Sequence, residues 1–220
     1  MTTKLVPEPV QEYLASLHEP EDEVLAAIAA EGRKADLPNV ATPTAWLLAT
    51  LVRAMRATRV LEIGTANGYS GAWVARAFAG GGELYTFEID PARAETARHN
   101  FERAGVASRV NVLVGDAARL VWKVSGPFDL IFQDGDKHLY EPLLDRLHDL
   151  LRPGGVMVVD NVLWDGEVIP GFVDPPVRTP DSTRTIAAFN VRLSKDRRFA
   201  TLWLPIGDGV AVAVKQGASS

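Results

Sequence analysis

From Arg59 onward the chain alternates short apolar runs with helix-like segments, and no other feature restricts the possible folds as much. Runs rich in Val, Ile, Leu and Phe suit strands covered on both faces, and parallel neighbours need a helix-length crossover between them. The expected core is a series of βαβ units in a doubly wound, mostly parallel sheet. Strands are predicted at 59–63, 84–89, 110–115, 128–133 and 155–160, with helices at 70–79, 91–104, 117–123 and 138–151. Pro91 suits a first helical turn, and Gly154-Gly155 suits the turn after a helix.

The two flanks have a different texture. Pro170, Pro175, Pro176 and Pro180 punctuate a loop, a helix follows at 181–193, and strands at 198–204 and 209–214 form a hairpin around Gly207-Asp208-Gly209. That hairpin predicts one antiparallel strand at the edge of a seven-stranded sheet. Upstream, helices are expected at 10–17, at 21–31 with Pro20-Glu21-Asp22-Glu23 as its start and Gly32 as its end, and from Pro43 to Met55. In the last of these Trp46, Leu47, Leu51 and Met55 make an apolar face. The expected organisation is one domain over 1–220, with 1–57 as a helical cover or subunit contact and 58–220 as the α/β core.

Composition removes several classes of function. The 220 residues include no cysteine, which excludes thiol catalysis, cysteine-type zinc sites and a disulfide framework, and fits a reducing cytoplasm. A net charge of -5 gives no general attraction to nucleic acid or to an anionic membrane. No apolar run approaches the length of a bilayer span, and residues 1–11 carry prolines and acids instead of a targeting pattern. A soluble, unprocessed cytoplasmic protein is expected, binding neither nucleic acid nor membrane.

The first predicted strand opens into Gly64-Thr65-Ala66-Asn67-Gly68-Tyr69-Ser70-Gly71. Glycines there allow a tight turn and close approach of a ligand, and the following helix start offers free N–H groups to an anion. The spacing matches neither the dinucleotide fingerprint nor the P-loop, so a pyrophosphate is not the natural ligand. Glu88 closes the second strand, where an acid holds ribose hydroxyls in folds of this type, and Asp116 ends the third, placed to meet an adenine amine. A nucleoside is the indicated ligand.

Two further strands end in oxygen-bearing side chains: Phe128–Gln133 leads to Asp134, and the next leads to Asp160 and Asn161. Parallel strands release their carboxyl ends on one edge, so these three groups can converge on a hard divalent cation. Lys137 follows close enough to serve the same site as a base. A lysine beside a divalent cation yields its proton more readily through like-charge repulsion. Each residue also has a plainer role: Asp134 and Asp136 as helix caps, Asp160-Asn161 as an Asx turn, Lys137 as a solvated partner of Asp136, and Trp164 as a packing anchor in a surface loop. The histidines at 18, 99, 138 and 148 share no metal-binding spacing.

Leu61-Glu62-Ile63-Gly64-Thr65-Ala66-Asn67-Gly68-Tyr69-Ser70, Phe132-Gln133-Asp134-Gly135-Asp136-Lys137, Asp160-Asn161-Val162-Leu163-Trp164 and Pro205-Ile206-Gly207-Asp208-Gly209 together resemble the cation-dependent O-methyltransferases of the caffeoyl-CoA and catechol type. The likeness runs in order from about residue 40 to the C-terminus. It implies the Rossmann-like class I methyltransferase fold, S-adenosylmethionine (SAM) as cofactor, and a small vicinal diphenol as substrate. By this resemblance Glu62, Gly64, Gly68 and Ser70 lie along the methionine part of SAM, Tyr69 packs beside it, Glu88 holds the ribose, and Asp116 with Ala117 meets the adenine. It further implies Asp134, Asp160 and Asn161 as ligands of Mg²⁺, with Mn²⁺ or Ca²⁺ as alternatives, Lys137 as base with Asp134 in the catalytic group, Trp164 and Asn190 near the substrate, and a homodimer. Gln133 and Gly135 depart from the family's usual small or aliphatic residue and alanine, and neither removes a ligand. A metal-independent SAM enzyme acting on nitrogen lacks its Asn/Asp-Pro-Pro-Tyr sequence here, and a non-catalytic SAM-binding module would leave the oxygen ligands and Lys137 idle.

Overall fold

The apolar runs do form a sheet of seven strands, seen in a computed structural model that describes residues 6–18 and 22–217. In chain order the strands are β1 (Arg59–Ile63), β2 (Glu83–Glu88), β3 (Val110–Val114), β4 (Phe128–Gln133), β5 (Leu151–Val159), β6 (Phe199–Leu204) and β7 (Val210–Lys215). The helices are α1 (Glu8–Ser16), α2 (Glu23–Lys34), α3 (Thr42–Met55), α4 (Tyr69–Ala77), α5 (Pro91–Arg103), α6 (Ala117–Leu120), α7 (Tyr140–Leu150) and α8 (Pro180–Lys195). Strand order is β3-β2-β1-β4-β5-β7-β6, with β1 to β5 mutually parallel.

The single antiparallel strand is not at the edge, as the hairpin suggested, but one place in: β7 pairs antiparallel with both β5 and β6. Burial explains the order. Val210, Ala211 and Ala213 are fully covered, whereas β6 leaves Leu202 and Trp203 exposed, so the more apolar arm takes the interior place. In consequence β6 runs parallel to the first five strands, and the turn that follows it reaches the same edge as their carboxyl ends.

Two apolar layers sandwich the sheet. One gathers α2, α3 and α4 around Ile28, Leu48 and Leu130; the other gathers α7 and α8 around Leu144, Phe189 and Ile131. The buried face of α3 is Ala45, Leu48, Ala49 and Val52 rather than the expected row, which lies half covered beside it. Ala45 and Ala49 of α3 share one buried cluster with Ala72 and Ala75 of α4, and small side chains there suit the close packing of the two helices.

Two local expectations change, at Gly32 and at Gly154-Gly155. Gly32 does not end α2 but lies buried inside it, where a methyl group would collide with the Asn39 side chain and press on Asn67 Nδ2 at 2.9 Å. That bare surface lets Asn67 Nδ2 donate to the Ile28 carbonyl at 2.8 Å. Of the expected helix start, Pro20 and Glu21 lie outside the described residues, and Asp22 is the cap, accepting from the N–H groups of Val24 and Leu25. Gly154-Gly155 makes an irregularity within β5, where the register with β4 shifts, and α7 runs straight into that strand. Among the described residues no helix is long and apolar enough to cross a membrane.

Candidate active site

A cavity of about 2170 Å³ opens along the carboxyl edge of the sheet, above the roughly 300–1,000 Å³ that suits one small ligand, so it has room for two. Its wall includes Gly64, Glu88, Asp116 and Ala117 on one side and Asp134, Lys137, Asp160, Asn161, Trp164 and Asp208 on the other. The two halves touch at Gly64, whose φ of +101° and lack of Cβ let its backbone lie against the Asp134 carbonyl; a Cβ would sit 2.5 Å from that oxygen.

In the first half Glu88 is 5% exposed, and its two carboxylate oxygens accept from the backbone N–H groups of Ala66 (2.8 Å) and Asp90 (3.0 Å). The strand-end acid is thus locked in one orientation at the cavity wall. Asp116 caps α6 by accepting from Ala118 N–H at 2.8 Å, with Ala117 beside it. These residues fit the hydroxyls and base of a nucleoside.

Glu62, Gly68, Tyr69 and Ser70 do not line the cavity but lie behind the glycine loop. Glu62 is completely buried, accepting from Ser70 Oγ and Thr86 Oγ1, each at 2.6 Å. The Tyr69 hydroxyl is 3.3 Å from Thr42 Oγ1, which ties α4 to α3. Glu62, Tyr69 and Ser70 thus hold the loop from beneath, away from the cavity wall.

Burial raises the Glu62 carboxyl from 4.5 to about 7, against the opposing effect of its two hydroxyl donors. A carboxyl with a raised folded-state pKa stabilises the fold fully below its unfolded value and loses that contribution as pH rises through about 7. Glu62→Gln is therefore expected to remove a loss of about 3 kcal/mol between pH 4.5 and pH 8, read from urea unfolding of both proteins across that range. Parallel curves for variant and wild type would disprove the assignment.

In the second half Lys137 Nζ stands among the predicted ligands, donating to Asp134 Oδ1 (3.0 Å), Asn161 Oδ1 (2.7 Å) and the Tyr140 hydroxyl (2.9 Å). Asp160 is 3% exposed, its Oδ1 accepting from Asn161 N–H at 2.9 Å. Burial pushes the Asp160 carboxyl well above the usual carboxylate range, and the charge of Asp134 adds to this. Burial also raises Asp134, with Lys137 opposing. Among the described residues no three His, Asp or Glu side chains cluster as an ion cage. Two crowded carboxyls and an amide oxygen, already gathered near one cationic nitrogen, fit a hard divalent ion. Asp136, by contrast, is a cap, accepting from His138 N–H at 3.0 Å.

The segment after Asn161 folds tightly over this point. Asn161, Trp164 and Asp165 all have left-handed φ, at +59°, +51° and +55°. The Trp164 ring lies 5.9 Å from Lys137 Nζ and 4.6 Å from the Arg178 guanidinium, which also pairs with Asp165 Oδ2 at 2.7 Å. Asn190 is not at the cavity: its Nδ2 donates to the Val162 carbonyl at 2.7 Å and supports the segment from below. Asp208 has no role in the sequence expectations, yet it stands on the cavity wall and accepts from Asn161 Nδ2 at 3.3 Å. Its signal in the sequence was a carboxylate inside the hairpin turn, legible only once β6 is known to run parallel.

A family model described as O-methyltransferase matches residues 15–216. The catechol O-methyltransferase of Niastella koreensis is 34% identical over 218 residues, spanning 94% of this chain and 96% of that protein. That of Mycobacterium tuberculosis is 42% identical over 166 residues, spanning 74% and 76%. Among solved structures, the O-methyltransferase TomG from Streptomyces achromogenes in complex with SAM superposes with a TM-score of 0.83 at 32% identity, covering 99% of this chain and 100% of that one. An O-methyltransferase from Bacillus cereus in complex with SAH gives 0.82 at 32% identity, covering 94% and 97%. On this family match and these identities the chain belongs to the O-methyltransferase family as a SAM-dependent enzyme.

Proposed function

We propose that the enzyme methylates a phenolic hydroxyl of a small vicinal diphenol, with a divalent cation, Mg²⁺ by preference, held by Asp134, Asp160 and Asn161. The observation that carries this proposal is the meeting of Asp134 and Asn161 oxygens at the Lys137 ammonium, beside the buried Asp160 carboxyl. Two relatives named catechol O-methyltransferase support the substrate class. Two carboxylates and one amide balance a divalent charge and leave positions for a pair of adjacent hydroxyls. A bound cation of this kind makes a neighbouring phenol more acidic.

The chain's own groups supply the rest. With a cation bound, like-charge repulsion would send one ammonium proton of Lys137 to solvent, and the neutral Nζ would then take the phenolic proton. Tyr140 steadies that nitrogen, since its hydroxyl donates to the Asp160 carbonyl at 3.0 Å and keeps a lone pair for the lysine. Glu88 holds the ribose and Asp116 with Ala117 the adenine, while Trp164 shields the acceptor from water. Holding the acceptor oxygen in line with the donor methyl is worth roughly 7–11 kcal/mol. A second copy of the chain belongs to the same proposal, covering the exposed row Val10, Tyr13 and Leu14 of α1 with Leu17 just after it.

The test is a panel of vicinal diphenols incubated with SAM, with and without Mg²⁺, and read by mass spectrometry. A singly methylated product that requires Mg²⁺ and vanishes with EDTA is expected. Full turnover in EDTA rejects the cation, and an inert panel rejects the substrate class.

A further inference from the structure

We infer that Asp208 sets the orientation of the Asn161 side-chain amide and thereby decides whether an oxygen or a nitrogen faces the cation position; this rests on the cation site proposed above. An asparagine amide turned by half a rotation keeps nearly the same shape while its oxygen and nitrogen exchange places. What faces each end therefore fixes the choice. A carboxylate only accepts hydrogen bonds, so Asp208 Oδ2 selects Asn161 Nδ2, at 3.3 Å, and sends Oδ1 toward Lys137 Nζ at 2.7 Å.

Asp208 is itself held firmly for this task. Its backbone carbonyl accepts from Leu163 N–H at 3.0 Å, and the next carbonyl, of Gly209, accepts from Val162 N–H at 3.1 Å. Its other carboxylate oxygen accepts from Asp165 N–H. One side chain thus bridges Asn161 and Asp165, the two ends of a segment whose left-handed, non-glycine backbone is costly to hold. Asp208 is accordingly a positioning residue, acting on the cation through Asn161.

Exchange of partners tests the idea. Asp208→Asn keeps an oxygen for Asp165 N–H but sets an NH₂ against Asn161 Nδ2, so Asn161 either loses this anchor or turns its amide and sets nitrogen against Lys137 Nζ and the cation position; both weaken the oxygen ligand. In the double variant Asn161→Asp/Asp208→Asn the amide stands at position 208 and the carboxylate at position 161. Every hydrogen bond then has a donor and an acceptor again, and an oxygen faces the cation.

Mn²⁺ affinity of the full chain, measured by electron paramagnetic resonance, is the readout, with SAM affinity as the check on folding. Wild type is expected to bind Mn²⁺, Asp208→Asn to bind it about 10- to 100-fold more weakly, and the double variant to regain most of the loss, all with unchanged SAM affinity. Undiminished Mn²⁺ binding by Asp208→Asn overturns the inference while leaving the cation site standing. So does a double variant no better than the single one, or a parallel loss of SAM binding. A wild type that ignores Mn²⁺ removes the cation site and this inference together.

Discussion

Lys137→Met is expected to lower kcat about 10²- to 10⁴-fold, the usual contribution of a positioned base, with SAM affinity unchanged. The more telling substitution is Lys137→Arg. A guanidinium keeps the positive charge but does not give up its proton in a protein, so it fails as a base while still facing Asp134 and Asn161. Equal inactivity of the two variants supports proton transfer; substantial activity of Lys137→Arg would show that the lysine serves only as a charge. Stability offers a second reading of the same change. Lys137 and Asp134 are only 16% and 12% exposed, so deleting the ammonium leaves a buried carboxyl without its partner, at a cost of about 3–5 kcal/mol in the cation-free protein. Saturating Mg²⁺ should restore much of that loss in Lys137→Met, and thermal melts with and without the ion check it.

Asp160→Asn is expected to move activity and stability in opposite directions. The isosteric amide can keep the bond from Asn161 N–H at 2.9 Å, so local geometry survives. Removing a charge from the proposed cation site should lower turnover at fixed Mg²⁺ by about 10²-fold, since a divalent cation there would supply several kcal/mol to the reaction. Yet the wild-type carboxyl is raised by burial and by Asp134, and that penalty disappears with the charge. The cation-free variant should therefore melt higher, each 1 kcal/mol being worth about 2–4 °C in a chain of this size. A variant that loses both activity and stability would mean that Asp160 holds the fold together rather than the ion. Such opposition between function and stability is common where a site gathers like charges.

The parts legible from sequence were those dictated by period and by strand direction. Asp134, Asp160 and Asn161 could be brought to one edge because parallel strands leave no other choice, and Glu88 followed from the same rule. What depended on the depth of a side chain was harder to read. Glu62 and Ser70 sit beside the glycine loop in sequence, but the strand alternation turns Glu62 inward, where hydroxyls hold it away from the cavity. Gly32 looked like a helix end because glycine usually is one; only the approach of Asn39 and Asn67 reveals its packing role. On α3 the row of large apolar residues drew attention away from the face of Ala45, Leu48, Ala49 and Val52 that is buried. Asn190 and Asp208 both act through hydrogen bonds across long stretches of chain, and neither periodicity nor turn chemistry records such partners.

The placement of β7 between β5 and β6 ties the two ends of the site together. β5 leads into Asp160 and Asn161 and is paired on both sides, by β4 and by β7. The turn before β7 carries Asp208, whose carboxylate accepts from Asn161 Nδ2. A substitution that loosens the β5–β7 pairing should therefore be felt at Asn161 even when it lies far from the cavity.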